Sequence, residues 1–316
     1  MDKAIEVKNL IKRYRKAKVN AIDDISFSVE NGEFFTMLGP NGAGKTTTVS
    51  VLNTTLAKTS GTVMVAGKEI DQNPAKVRKQ IGVIFQNPSL DVNLTAEENV
   101  RFHAILYGLY PYRPTYNLMP LEYQQTVNKL ATILGLTKEI HQPIKSFSGG
   151  MKRKLEIVRG LIHKPRILFL DEPTTGLDPI ARQNLWQYLK EVRKKDKITL
   201  FLTTHYLEEA EDSDRICVIN QGKIVALGTP NEIKKNLVDE YLIIDADNRD
   251  GLRKELNDLR LKFREEKHFL VDVNSNRLQE LMRKLKTKLT FIKIHSPSLE
   301  EAYLEIISRQ GNNENN

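Results

Sequence analysis

The apolar residues of this chain fall into short blocks, and two periods take turns along it. Ala4-Ile5-Glu6-Val7-Lys8-Asn9-Leu10 alternates, which predicts a strand, and Ile25-Ser26-Phe27-Ser28-Val29-Glu30 predicts a second. Asn31-Gly32 follows, a turn pair that signals a hairpin into the next strand. That strand, Phe34-Phe35-Thr36-Met37-Leu38, is an almost unbroken apolar run and reads as buried. Further strands are predicted at 61–67, 81–85, 167–170, 198–203 and 215–219. Between them the spacing changes to that of helices. Residues 48–53 continue as a helix from the turn before them. Val100, His103, Ala104 and Tyr107 share one helical face, and Leu121, Val127, Leu130 and Leu134 another. Leu155, Val158 and Ile162 mark a third. Thr95-Ala96-Glu97-Glu98 supplies an N-cap and an acidic first turn.

Strands alternating with helices predict an α/β core, and the helical region of about 92–160 reads as a subdomain inserted into it. Pro111, Pro114 and Pro120 forbid a continuous helix across 110–120. That Tyr- and Pro-rich stretch is either a surface loop or a docking loop for a partner. Beyond Thr229-Pro230 the pattern shifts. Strands at 241–244, 269–273 and 291–294 alternate with helices at 252–259, 278–285 and from Pro297 onward. This is a βαβ-like appendage, too short to bury a large core alone. The expected organisation is a main domain over 1–235, a small α+β domain over 240–310 and a low-complexity, disordered tail over 311–316.

Composition narrows the classes. At 316 residues and 40% hydrophobic, the chain can bury one large core and one small one. Cys217 is the single cysteine, which excludes an internal disulfide and fits a reducing compartment; its strand neighbours make it a core residue. No stretch reaches the roughly 18 apolar residues a membrane helix needs, and the N-terminus has no apolar signal core. The chain alone therefore reads as cytosolic, with any membrane-spanning part supplied by another chain. The net charge of +8 suits nucleic acid, anionic lipid or a nucleotide. Its densest basic run, Lys12-Arg13-Tyr14-Arg15-Lys16-Ala17-Lys18, reads as a solvated loop without the interleaving of a nucleic-acid surface, so no nucleic-acid partner is expected.

The candidate chemistry starts at Gly39-Pro40-Asn41-Gly42-Ala43-Gly44-Lys45-Thr46-Thr47, between a predicted strand and a predicted helix. Glycines there let backbone N–H groups converge on phosphate oxygens, and the helix adds the positive end of its dipole. Lys45 can reach the β- and γ-phosphates, and the Thr46 hydroxyl can ligate Mg²⁺. A second helix start, Ser148-Gly149-Gly150, makes a second anion nest. Asp171 and Glu172 end the apolar run at 167–170, at the carboxyl end of a buried strand, where open α/β sheets bind ligands. Asp171 can hold Mg²⁺ and Glu172 can polarise an attacking water. His205, at the end of another strand, can donate to a γ-phosphate oxygen. Gln86, leaving a strand edge, can touch Mg²⁺ or the attacking water. Tyr14 is either a stacking partner for adenine or a half-exposed loop residue. His103 reads as a helix-face residue without metal partners.

Residues 39–47, Gln86, Ser148-Gly149-Gly150, 167–172, Gly176-Leu177-Asp178 and His205, in this order, resemble the ATP-binding cassette (ABC) ATPase family over about residues 1–235. The resemblance implies an α/β P-loop NTPase core with an antiparallel β subdomain, the inserted helical subdomain and a small α+β C-terminal domain. It implies ATP and Mg²⁺ as ligands. It also implies that two chains close head to tail, the Ser148-Gly149-Gly150 nest of each serving the γ-phosphate held by the other. Tyr14 then stacks on adenine, Gln86 couples the site to a transmembrane partner, Asp178 lines the dimer seam and His205 senses the γ-phosphate. Phe147 and Met151 depart from the commonest motif, where Leu and often Gln stand; Met at that place is similar to the drug- and lipid-exporter branch. Residues 297–307 resemble the C-terminal extension of that branch. The expectation is the ATPase subunit of an exporter of drugs or lipid-like compounds. It would pair with a second such subunit, the same chain by expectation, and with separate membrane permease subunits, at the cytoplasmic face of the membrane. The alternatives are a soluble cassette ATPase of translation or DNA repair, and a non-hydrolysing ATP switch.

Overall fold

The computed structural model describes residues 3–85, 89–237, 241–272, 278–295 and 298–313. By its contacts the chain divides into two units, Met1–Leu227 and Gly228–Asn316. The division thus falls a few residues before the 235–240 boundary expected from composition. No described helix is long and apolar enough to cross a membrane.

The first unit begins with β1 (Lys3–Lys12), β2 (Ile22–Glu30), β3 (Phe34–Leu38), α1 (Lys45–Leu52), β4 (Ser60–Val65), β5 (Lys68–Glu69), α2 (Pro74–Arg78) and β6 (Ile81–Ile84). The inserted helices α3 (Ala96–Leu106), α4 (Leu121–Ile133) and α5 (Gly149–Leu161) follow. Then come β7 (Ile167–Asp171), α6 (Pro179–Asp196), β8 (Thr199–Thr204), α7 (Leu207–Glu211), β9 (Arg215–Asn220) and β10 (Lys223–Gly228). Two sheets result. One has the order β2-β1-β4-β5, paired antiparallel; the other has the order β10-β9-β3-β8-β7-β6, and β9, β3, β8, β7 and β6 run parallel.

Asn31-Gly32 does not make the expected hairpin. β2 pairs with β1, and β3 pairs with β8 and β9, so the turn carries the chain from one sheet to the other. The residues say why. β2 alternates between buried and exposed positions, whereas every residue of β3 is buried, and a strand covered on both faces belongs inside a parallel sheet. Side-chain alternation then divides the core. Phe34, Leu168, Leu170, Leu200 and Leu202 face one side and pack with the inserted helices. Phe35, Met37, Phe169, Phe201 and Cys217 face the other and pack against β1, β2 and β4. Phe27 stacks on Phe35 there at 5.5 Å between ring centroids.

The insert is anchored locally. Thr95 caps α3 in a reciprocal box, with Glu98 N–H to Thr95 Oγ1 at 3.2 Å and Thr95 N–H to Glu98 Oε2 at 2.8 Å. The stretch 110–120 is half tied down. Tyr110 and Tyr116 pack edge-on against buried Tyr123, and the Arg113 carbonyl accepts from Arg101 at 2.6 Å.

The second unit holds α8 (Pro230–Leu237), β11 (Tyr241–Ala246), α9 (Arg249–Asp258), β12 (Phe263–Glu265), β13 (Phe269–Asp272), α10 (Leu278–Lys284), β14 (Leu289–His295) and α11 (Leu299–Asn313). Its sheet has the order β12-β13-β11-β14, and every pair is antiparallel. A direct βαβ unit therefore does not form. The three-residue β12, too short to show in the hydrophobic pattern, turns the chain back into β13, which inserts beside β11 and splits the crossover. Leu242, Ile244, Phe269, Val271, Leu252 and Leu256 form a core of its own. α11 runs to Asn313, three residues into the stretch expected to be disordered; residues 314–316 lie outside the described residues.

Candidate functional site

The parallel register brings the ends of three strands together. β3 pairs with β8 so that Leu38 lies beside Thr204, and β7 pairs with β8 so that Asp171 lies beside Thr203. Three segments are therefore held at one edge of the sheet: the glycine loop after β3, Glu172 after β7 and His205 after β8.

Two glycines of the loop are required by close approach. A Cβ on Gly39 would sit 2.2 Å from the Ile219 carbonyl oxygen, and Gly44 has φ +109° with a Cβ position 2.6 Å from the Ala21 carbonyl oxygen. Lys45 is the first residue of α1 and is buried; its Nζ donates to the carbonyls of Gly39 at 2.8 Å and Pro40 at 3.1 Å. Burial lowers its pKa, opposed by the nearby carboxylates of Glu172 and Asp171. The Thr46 hydroxyl is 3.3 Å from Asp171 Oδ1, and the Tyr14 hydroxyl is 3.2 Å from Thr47 Oγ1. Tyr14 is half-exposed, its ring next to the loop. Asn41, Gly42, Gly44, Lys45, Thr46, Thr47, Ala21 and, across from them, Glu172 line a cleft of about 270 Å³.

Asp171 is buried, and burial raises its pKa; the hydroxyls of Thr203 and Thr46 pull it back. The Thr203 hydroxyl donates directly to Asp171 Oδ1. Glu172 leaves the strand with φ +49°, a left-handed backbone that costs a non-glycine residue about 1–3 kcal/mol. Its N–H is held by the Thr203 carbonyl at 3.0 Å, and its Oε1 lies 3.1 Å from His205 Nδ1. The His205 segment is itself anchored. Thr204 Oγ1 donates to buried Glu209 at 2.7 Å, and the same Glu209 accepts from Thr174.

Lys45, Thr46, Asp171, Glu172 and His205 thus converge. Ser148-Gly149-Gly150 does not join them in one chain. Ser148 caps α5, accepting from Met151 N–H at 3.3 Å, and it is exposed and lines no part of the cleft. Asp178 caps α6 through Ala181 N–H and pairs with Lys154 at 3.5 Å. Gln86 lies outside the described residues. His103 packs at a tilt against Tyr107, ring centroids 4.4 Å apart, in the insert, away from the cleft, and burial pushes the Cys217 thiol up to about 12, as befits an inert core residue. Thr203, Glu209 and Arg153, the last donating to the carbonyls of Asp171 and Glu172, hold residues of the site in place and do not stand out in the sequence. Thr203 ends an apolar run, and Arg153 lies in a Lys152-Arg153-Lys154 string that looks like solvated charge, so only the strand register and the packing reveal them.

Comparison with known proteins decides the family. A model of the ABC transporter family matches residues 22–175. The doxorubicin resistance ATP-binding protein DrrA of Mycobacterium tuberculosis is 39% identical over 254 residues, covering 79% of this chain and 73% of that protein. The chain belongs to the ABC transporter family. A Nod factor export ATP-binding protein I of Paraburkholderia xenovorans aligns over 312 residues at 34% identity, covering 97% of this ABC chain and 98% of its own length. Among solved structures, the ATP-binding cassette MJ0796, a dimer in a post-hydrolysis state bound to ADP and Pi, matches with a TM-score of 0.65 at 25% identity over 71% of this chain and 98% of that one. As an ABC cassette the chain binds ATP and hydrolyses it to ADP and phosphate.

Proposed function

We propose that this ABC ATPase powers an exporter of drugs or lipid-like compounds, acting through separate membrane subunits at the cytoplasmic face of the membrane. The relatives above carry names of drug resistance and Nod factor export, which supports export over the soluble cassette reading. One observation carries the mechanism: two anion nests on one chain, of which only the loop at 39–47 shares a cleft with Glu172, with Asp171 on Thr46 and His205 on Glu172 beside it. A second chain related by a two-fold axis supplies the missing half of each site, its Ser148-Gly149-Gly150 closing on the γ-phosphate.

In that arrangement the amides of 39–44 and Lys45 bind the β- and γ-phosphates, Thr47 lines the pocket, and Tyr14 presents its ring to adenine. Glu172 takes the proton of the attacking water as its oxygen bonds to the γ-phosphorus. The bond from that phosphorus to the bridging oxygen breaks and ADP leaves. His205, held on Glu172, donates to a γ-phosphate oxygen. Thr46 Oγ1 and Asp171 Oδ1, 3.3 Å apart, are a hydroxyl and a single carboxylate, a donor pair that fits Mg²⁺ completed by phosphate and water oxygens. Bound there, Mg²⁺ neutralises phosphate charge. Gln86 is assigned to the same ligand set and to coupling with the membrane partner. Leu106, Tyr112, Leu118 and Leu121 expose apolar surface on the insert, which suits docking to those subunits.

The test is to extract native membranes in mild detergent, capture this chain and identify what accompanies it. A multi-spanning protein in stoichiometric amount supports the proposal; ribosomes, DNA or no membrane partner refutes it.

A further inference from the structure

We propose that Arg153 is a positioning residue that ties the backbone of the catalytic carboxylate to the backbone of Phe85, the residue before Gln86 in the sequence. The proposal rests on the reading of Glu172 as the base.

Arg153 lies on α5 and is only 3% exposed, although the sequence places it between two lysines. Its guanidinium spends its N–H groups almost entirely on backbone. Nε donates to the Pro173 carbonyl at 2.9 Å, and Nη2 donates to the carbonyls of Asp171 at 3.1 Å and Glu172 at 2.8 Å. Nη1 donates to the Phe85 carbonyl and lies 3.4 Å from Glu156 Oε2. Three consecutive carbonyls around Glu172 are therefore held by one planar group. This is the place where the chain turns left-handed, with φ +49°. The Glu172 N–H is bonded to Thr203 and its carbonyl to Arg153, so its unusual backbone is clamped on both sides. That clamp aims the carboxylate at the cleft and at His205.

The same cluster holds the described residues on either side of Gln86 in the sequence. Phe85 precedes it. Ser89 follows it, its N–H donating to Glu156 Oε1 at 2.6 Å, while Arg159 donates to the Ser89 carbonyl at 2.7 Å and to its hydroxyl at 2.6 Å. Glu156 lies 3.3 Å from Arg159 through Oε1 and 3.4 Å from Arg153 through Oε2. Ser148 opens α5, so the helix that starts at the second nest also carries the residues that hold Phe85, Ser89 and the peptide of the base. A shift at Phe85 reaches Glu172 through a single guanidinium. Lysine cannot reproduce this, because one ammonium cannot meet carbonyls spread over a planar fork.

The experiment uses the purified full chain and single-turnover ATP hydrolysis with enzyme in excess. Arg153→Lys is expected to lower the hydrolysis rate about 10-fold or more while the KM for ATP stays within about twofold, the pattern of an interaction made only in the transition state. Combined with Glu172→Gln, Arg153→Lys should add almost no further loss, because it acts through the residue already changed. Glu156→Gln keeps an acceptor for Ser89 but loses the charge facing Arg153. It should show a smaller effect of the same kind, and it carries the same double-variant comparison should Arg153→Lys not fold. A wild-type rate in the folded Arg153 variant, or losses that multiply in the double variant, overturns the proposal alone. A wild-type rate in Glu172→Gln overturns the base assignment and this proposal with it.

Discussion

Thr203→Val removes one oxygen from the site and changes almost nothing else. Thr203 is fully buried in β8, and its hydroxyl donates to Asp171 Oδ1, a carboxylate only 2% exposed. A hydrogen bond to a charged acceptor contributes about 1.5–3 kcal/mol. The Thr46 hydroxyl remains, 3.3 Å away, so we expect a loss in the lower half of that range, about 2 kcal/mol, where Asp171 is ionised. The sign with pH comes from the direction of the shift. Burial holds the Asp171 carboxyl above its ordinary value, so the folded chain binds that proton more tightly than the unfolded chain. The cost of the ionised carboxylate is present above the folded pKa and fades as the pH falls through it toward the ordinary aspartate range. Losing the Thr203 donor enlarges that cost. The difference between variant and wild type should therefore be largest near neutrality and shrink in acid. Urea unfolding at about pH 7.5 and about pH 4.5 measures it. The natural reporter is Trp186, the only tryptophan, which stacks on Phe34 at 5.7 Å in the first unit. A difference below about 0.5 kcal/mol at neutrality, or one equal at both pH values, refutes the argument that Thr203 supports an ionised Asp171. Turnover should fall in parallel, because Asp171 is assigned to the metal.

Glu172→Gln should still bind ATP but hydrolyse it about 10²–10⁴-fold more slowly and accumulate as a closed dimer; phosphate release and size-exclusion chromatography read both. Lys45→Ala should lose productive triphosphate binding, seen in a titration with a fluorescent ATP analogue. Gly39→Ala puts a Cβ 2.2 Å from a backbone oxygen of β9, so the loop must shift; nucleotide binding should be lost even in protein that remains folded by circular dichroism. Burial, with Arg159 and His163 adding to it, pushes the His103 imidazole down to about 3 from 6.5. The unfolded chain takes up that proton first, so stability falls as the pH drops below about 6.5, and His103→Leu should flatten the slope measured by urea unfolding between about pH 5 and pH 7.

Much of this molecule was legible in one dimension. Apolar runs such as 34–38 and 167–170 fall on central strands because a strand covered on both faces can hold almost nothing else. The glycine loop, Asp171, Glu172 and His205 stood out because phosphate and metal chemistry needs those residue types at strand ends, and the ends of β3, β7 and β8 are where they lie. Local pattern could not say which strand pairs with which. Asn31-Gly32 has the composition of a hairpin turn, yet β3 is drawn to β8 and β9 because its buried faces need partners distant in sequence. A three-residue strand, β12, carries too few positions for a period to show, and with it the order of the second sheet was hidden. The supporting residues needed the folded chain most. Thr203 matters through its register with Asp171, and Arg153 through carbonyls that are consecutive in sequence but reach it only when α5 packs beneath them. Backbone carbonyls have no signature in a sequence, so what they bond to is decided by tertiary structure alone.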